Sequence, residues 1–363
     1  MIEPDFLQAT LPLFEQDQVD LLEWSVDLGW GPSGVPAWAA GLLDEFGQRG
    51  RLHAHGVHFS TLSTPWQPRQ ERWLARLAGE TRAGRYRSLS EHFGFSTLPG
   101  IRHGAPFPVP FCAGAVEIGR ERLALLADAA AVPVGLENLA LAWGERDVWS
   151  QGPFLDQLLR PLGGFLLLDV HNLHCQIENF GCDVGELLGS YPLDLARTIH
   201  VSGGSWAEPR HGRIRQDTHD DAVPDEVFAL VSEAIARCPN VEAVVFERLG
   251  GTIRDEPRAA RLRADYERLR RVVREASPTQ GARASHPGTG SASPTFAPTA
   301  HGKDALAAYE AALLDALCAG EEPATRFATQ LGDWSDVTRD YEGRMLALGA
   351  RIANSYTVRQ AEG

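Results

Sequence analysis

Cysteine is scarce. The chain of 363 residues holds five, at Cys112, Cys175, Cys182, Cys238 and Cys318. The count is odd and no C-x-x-C pair occurs, so neither a disulfide framework nor a thiolate metal site is indicated. Buried thiols are the expectation. Positive charge is also short: 34 Lys plus Arg stand against 48 Asp plus Glu, a formal balance of −14. That excess of acid speaks against a nucleic-acid partner, which needs a basic stripe. A cluster of arginines at Arg261, Arg263, Arg268, Arg270 and Arg271 is interleaved with Asp265, Glu267 and Glu275, and reads as a solvated helix face. No apolar run reaches the roughly 18 residues of a membrane span. The first residues, MIEPDFLQAT, lack the basic and apolar blocks of a signal peptide, which predicts a cytoplasmic protein. Absent too is G-x-x-x-x-G-K, a phosphate-cradling loop of nucleotide-binding open sheets.

What remains is ordinary in bulk and unusual in arrangement. Hydrophobic residues make up 44% and charged residues 23%, as in a soluble globular protein. The length allows one large domain with an appendage. Residues 277–302 are rich in Ser, Thr, Pro, Gly and Ala, with Arg283 as the one charge, and are expected to be a flexible linker. The linker separates a body, 1–276, from a tail, 303–363. Within the body, β-rich runs at 20–27, 52–59, 88–96, 132–138, 164–170, 197–202 and 241–247 alternate with helical patterns such as 117–131 and 226–237. Alternation of this kind predicts βαβ units and a parallel sheet, and the length suits a (β/α)8 TIM barrel. Seven runs are clear; the eighth is expected to be short or to lie near 214–217. In the tail, 303–318 and 337–355 read as helices, with Leu306, Tyr309, Leu313 and Leu317 on one face and Tyr341, Met345, Leu348 and Ile352 on another.

The informative feature is how the strands end. His55 lies in the second run, Glu91 and His92 in the third, Glu137 and Asn138 in the fourth. The fifth ends in Asp169, then His171 and Asn172. The sixth carries His200, the loop after it holds Asp217, His219, Asp220 and Asp221, and the last run ends in Glu247 and Arg248. A parallel barrel gathers side chains from such positions at its upper face. Gathered carboxylates repel and raise one another's pKa unless cations intervene. Imidazole plus carboxylate suits iron, manganese or zinc. Four histidines (His55, His92, His200, His219) and four carboxylates (Glu137, Asp169, Asp217, Glu247) exceed the needs of one octahedral ion, so two or three metal ions are expected. By strand alternation His53 shares the face of His55, and His58 falls on the other side.

The ordered motifs H-G-V at His55, S-E-H-F at 90–93, E-N at 137–138, L-L-L-D-V-H-N at 166–172, I-H-V-S-G at 199–203, D-T-H-D at 217–220 and F-E at 246–247 resemble the multinuclear iron-dependent oxidative enzymes, the family of the methanobactin-biosynthesis oxidase. The resemblance covers about residues 10–272 and leaves the linker and tail unplaced. It implies a TIM barrel, two or three iron ions in a mixed Fe(II)/Fe(III) state, and O2 as co-substrate. It further implies a ribosomal precursor peptide as substrate, modified at cysteine, and in several members a partner protein that presents the peptide. Carried over by residue, it makes His55, His92, Glu137, Asp169, His200, Asp217, His219 and Glu247 iron ligands. Asn138 and Asn172 become ligands or supports, and the run 166–172 places Asp169, His171 and Asn172 at the catalytic centre. His171 stands where the family varies. A different reading of the same strand ends, as a divalent-metal barrel isomerase or endonuclease-like hydrolase, stays open at this point.

Overall fold

The computed structural model describes residues 3–31, 34–82, 85–96, 106–209, 212–276, 296–329 and 331–356. The body runs α1 (Pro4–Glu15), β1 (Leu22–Ser25), α2 (Ala37–Gln48), β2 (Leu52–Gly56), α3 (Pro68–Thr81), β3 (Leu89–His92), α4 (Ala113–Ala130) and β4 (Val134–Glu137). It continues with α5 (Glu145–Leu159), β5 (Phe165–Asp169), α6 (Val170–Phe180), α7 (Val184–Gly189), β6 (Ala196–Val201), β7 (Trp206–Ala207), β8 (Ile214–Arg215), α8 (Asp225–Arg237), β9 (Ala243–Phe246) and α9 (Glu256–Ala276). The helices begin where local chemistry starts them. Pro68 opens α3 inside a reciprocal Gln67–Gln70 capping box, which satisfies two otherwise unpaired amides. Helix α8 carries Asp225 and Glu226 in its first turn and Arg237 in its last, complementing its dipole, and buries Val227, Leu230, Val231 and Ala234.

The sheet order is β1-β2-β3-β4-β5-β6-β9, every pair parallel. Strands in sequence order, joined through helices, are the topology of a barrel. Distance shows the curling directly. Four steps of ~4.8 Å separate β2 from β6 in a flat sheet, about 19 Å, yet the rings of His55 and His200 lie 5.6 Å apart. Residues such as Leu52, Ala54, Leu89, Leu136, Leu166, Leu168, Ile199 and Val201 face outward into the helix layer and are buried there, which is why these strands read as apolar runs.

The fold is thus the expected TIM-type α/β barrel, with a correction in strand number. Ile214–Arg215 is not an eighth barrel strand. It pairs antiparallel with Trp206–Ala207 as a separate ribbon, because the loop after β6 doubles back over the barrel mouth. Among the described residues no strand bridges β1 and β9. A cavity of about 1340 Å³ lies in that seam, between Leu22 and Trp24 on one side and Val244 and Phe246 on the other, with Phe6 and Leu13 of α1 and Leu262 and Tyr266 of α9 around it. It reaches His55, His92, Glu137, Asp217, His219 and Glu247.

The tail forms α10 (Lys303–Ala319), α11 (Glu321–Arg326), α12 (Ser335–Thr338) and α13 (Gly343–Tyr356). Residues 277–295 of the expected linker lie outside the described residues. From Thr299 on, the chain is already hydrogen-bonded to the barrel: Thr299 N donates to Phe111 O, Ala113 N to Thr299 O and Gly114 N to His301 O, at 2.8–3.0 Å. The tail rests on loops that leave the carboxyl ends of the strands. Glu310 of α10 accepts from Thr64 N at 2.9 Å and from the Thr64 hydroxyl. Gly349 of α13 lies against Trp143, and Glu342 N donates to Trp143 O at 2.7 Å. Arg351 donates to Glu208 O at 3.2 Å. Leu306, Tyr309, Leu313, Leu317, Met345 and Leu348 are buried in one core with Trp143 and Phe107, which accounts for most of both apolar stripes. Ile352 is partly buried against the same core. No helix among the described residues is long and apolar enough to cross a membrane.

Candidate metal centre

Inward positions of neighbouring strands are brought level by the parallel register. Ser25 stands beside His55, His55 beside Ser90, His92 beside Glu137, and Asp169 beside His200. Two groups form. His55, His92 and Glu137 each offer an atom within 4.8 Å of the others, and so do Glu137, Asp169, His200 and Glu247. Glu137 belongs to both: its Oε2 lies 3.4 Å from His55 Nε2 and 3.5 Å from His92 Nε2, and its Oε1 lies 3.7 Å from His200 Nδ1. A further pair adjoins them, with His219 Nε2 at 2.9 Å from Asp217 Oδ2 and 3.8 Å from Glu247 Oε2.

Local structure explains several of these placements. In L-L-L-D-V-H-N the strand β5 passes straight into α6, and Asp169 is the N-cap: its Oδ1 accepts from Asn172 N at 2.7 Å. One oxygen starts the helix, and the other faces the site. His219 is held at φ 52°, in the left-handed region. That is uncommon for a residue with a Cβ, and such strain collects at functional sites. His55 Nδ1 is 2.8 Å from Ser90 Oγ, which leaves Nε2 toward Glu137.

The site is a cation's environment. Glu137 Oε2, Asp169 Oδ2, Asn172 Oδ1, Glu247 Oε2 and His200 Nδ1 are buried without a hydrogen-bond partner. Orphaned buried acceptors of this kind are rare and costly. Carboxylates within 4.8 Å of one another repel by ~3 kcal/mol or more per pair even at an effective dielectric of ~20. Titration follows. Burial, with the charges of Asp217, Glu137 and Glu247, pushes the Asp169 carboxyl well above the usual carboxylate range. Burial also opposes ionisation of Asp217, but the charges and hydrogen bonds of His219 and His171 outweigh it and hold Asp217 well below that range. Burial disfavours the His219 cation, yet Asp217 and Glu247 raise it to about 10. Burial beside His92 lowers His55 to about 4. These oxygens and imidazole nitrogens fit one or more bound di- or trivalent ions.

The other expected site residues fall around the two groups. Asn172 Nδ2 donates to Asn138 O at 2.8 Å and lies 3.5 Å from Glu137 Oε1, and its Oδ1 is buried without a hydrogen-bond partner. Asn138 uses both ends of its amide on the Asp169 backbone, Nδ2 to O at 3.0 Å and Oδ1 from N at 2.7 Å, which stitches β4 to β5. His171 is fully buried; Nδ1 meets Asp217 Oδ1 at 2.8 Å and Ser202 Oγ at 3.0 Å, and Nε2 faces Arg215. His53 Nδ1 is 2.8 Å from Ser88 Oγ, below the clusters. His58 lies in the loop after β2, 3.2 Å from the buried Asp27. Glu23 escaped the sequence reading. It sits in the middle of β1, not at a strand end, yet its Oε1 is 2.7 Å from His200 Nε2. Ser90 and Ser202 stand in the motifs S-E-H-F and I-H-V-S-G, but, carrying no charge, they received no site role from the sequence. Strand alternation, which puts Glu23 and Ser25 on one face, is the signal that could have found Glu23. Cys112, Cys175, Cys182 and Cys238 are buried free thiols, and Cys318 is exposed.

Fold and site together define a parallel α/β barrel with an imidazole–carboxylate centre at the carboxyl ends of its strands. The chain belongs to the family described as "RiPP precursor modification enzyme MbnB/TglH/ChrH", which matches residues 16–274; these are enzymes that modify the precursors of ribosomally made peptides. A UPF0276 protein of Caulobacter vibrioides (strain NA1000 / CB15N) is 30% identical over 206 residues, 56% of this chain and 71% of that protein. A UPF0276 protein of Rhizorhabdus wittichii is 28% identical over 242 residues, 66% of this chain and 82% of that one. Among solved structures, an L-ribulose 3-epimerase is similar at 17% identity and a TM-score of 0.48, over 78% of this chain and 96% of that chain.

Proposed function

We propose that this chain is an iron-dependent oxidoreductase that uses O2 to modify a cysteine-containing precursor peptide, with two or three iron ions in a mixed Fe(II)/Fe(III) state. The observation that carries the reading is His55–His92–Glu137. Two histidines and one carboxylate, with room for other ligands, is the donor set of non-haem iron oxygenases. Here it shares Glu137 with a second, carboxylate-rich group.

In this reading Glu137, Asp169, His200 and Glu247 hold a second ion, and Asp217 and His219 join Glu247 at a third position. Iron supplies redox chemistry with O2 and a Lewis-acidic position for a substrate thiolate. The chain's own work is placement. Asn172 adds its free Oδ1, and Asn138 fixes the strand that carries Asp169. His171 and Ser202 orient Asp217 through its Oδ1. The apolar walls of the seam, Trp24 and Phe246 among them, keep bulk water from the reacting side chain. A cytoplasmic setting accompanies this reading, since free thiols and Fe(II) persist under reducing conditions.

The test is anaerobic purification with metal analysis, followed by O2 uptake and peptide mass measurement. A cognate peptide is compared with its Cys→Ser form, with and without a presenting partner protein. Iron above one ion per chain and cysteine-dependent O2 uptake support the reading. A protein that holds only zinc and consumes no O2 overturns it.

A further inference from the structure

The imidazole of His200 is gripped from two sides. On one side Nδ1 looks toward Glu247 Oε2 at 3.1 Å and Glu137 Oε1 at 3.7 Å. On the other, Nε2 is 2.7 Å from Glu23 Oε1. The two nitrogens of an imidazole point in diverging directions, so Glu23 cannot share an ion with Glu137 and Glu247 through this ring. It stands behind the ligand. The Glu23 side chain is only 7% exposed, and a carboxylate withdrawn so far from water needs a compensating partner. Both nitrogens of His200 lack an aligned hydrogen bond, so the ring's rotation is left to be fixed by charge from behind and by an ion in front. Strand β1 contributes to neither ligand group, and Glu23 is its one acidic side chain.

We propose that Glu23 is a positioning residue for His200: its carboxylate takes the Nε2–H and aims Nδ1 at the ion held by Glu137, Asp169 and Glu247. The inference rests on the metal reading of the site and adds a residue on an edge strand. Carboxylate behind imidazole raises the basicity of the ligating nitrogen and fixes its tautomer. The parallel with Ser90 is instructive. Ser90 anchors His55 through Nδ1 and frees Nε2, whereas Glu23 anchors His200 through Nε2 and frees Nδ1. The two histidines therefore approach the shared Glu137 with opposite nitrogens.

The experiment is an anaerobic Co(II) titration of the full chain, followed by its visible ligand-field spectrum and by chelator competition. It compares wild type, Glu23→Gln, Glu23→Asp and His200→Ala. Glu23→Gln keeps the shape and removes the charge. The expected result is an affinity about 10- to 100-fold weaker for one ion, with a changed spectrum for that ion and the other ions bound as in wild type. His200→Ala loses the same ion, and Glu23→Asp restores part of the affinity. Circular dichroism confirms the fold of each variant. If Glu23→Gln binds every ion with wild-type affinity and spectrum, the positioning role is overturned while the metal reading stands. If the wild type binds neither Co(II) nor Fe(II), the metal reading falls and this inference with it.

Discussion

Glu137 divides its carboxylate between two sets of histidines, Oε2 toward His55 and His92 at 3.4 and 3.5 Å and Oε1 toward His200 at 3.7 Å. A carboxylate placed this way can bridge two ions and keep them in fixed relation.

Unequal losses follow from the shared ligand. Glu137→Ala is expected to remove more than one metal ion per chain, whereas His92→Ala removes no more than one. Metal analysis of the two variants after identical anaerobic loading checks this. Equal losses would mean that the two groups do not share a ligand.

Asp169 has two separable roles. Asp169→Asn keeps the cap on α6 and removes the buried charge; Asp169→Ala loses both, and loss of the cap costs about 1 kcal/mol. The pKa of Asp169 is raised in the folded chain, so the folded chain holds a proton that the unfolded chain releases. Without metal, wild-type stability therefore falls as pH rises through that interval. In chelator at pH 8, urea melts should rank Asp169→Asn above wild type and above Asp169→Ala. Neither variant should turn over peptide.

Glu310 makes the tail's attachment sensitive to pH. Burial raises its pKa from 4.5 to about 7, even though the Thr64 bonds favour the ionised form. The folded chain binds a proton between those values that the unfolded chain does not. This contribution to stability is thus full below about 4.5, declines as pH rises, and is gone above about 7. Glu310→Gln should flatten that slope and gain on wild type by on the order of 2 kcal/mol between pH 5 and pH 8. Melting temperatures across the range test it, and parallel curves for the two proteins would refute it.

At Gly349 the backbone of α13 packs closely on the Trp143 ring. A Cβ there would lie 2.6 Å from the ring of Trp143. Alanine normally favours a helix over glycine by up to ~1 kcal/mol, but overpacking costs about 1–3 kcal/mol. Gly349→Ala is therefore expected to destabilise in denaturant titration; a stabilised variant would contradict the packing described.

Much of the centre was legible because a strand that ends in a charge is visible in one dimension. His55, His92, Glu137, Asp169, His200, Asp217, His219 and Glu247 all stand at or beyond the carboxyl ends of strands, and the structure gathers them. Less legible was anything that depends on orientation. Asn138 and His171 lie in the right motifs, but whether they face an ion or support a neighbour is decided by hydrogen bonds that close only in three dimensions. Glu23 and Ser90 sit inside short strands, where polarity reads as noise until the register sets them beside a histidine. The 214–217 run has strand composition, and only its pairing with Trp206–Ala207 takes it out of the barrel. The tail's helices followed from periodicity; their seat on the Thr64 and Trp143 loops did not, since nothing in an apolar stripe names the surface it meets.

That seat has a practical consequence. Helices α10 and α13 are joined to the barrel by a continuous buried core, so they hold to it without help from the covalent connection. A protease cut made within 277–295 should leave both fragments together through size-exclusion chromatography, and the two pieces, expressed separately, should reassemble into one particle. Removing 303–356 outright would instead uncover Trp143 and Phe107 and yield a sticky, poorly soluble barrel.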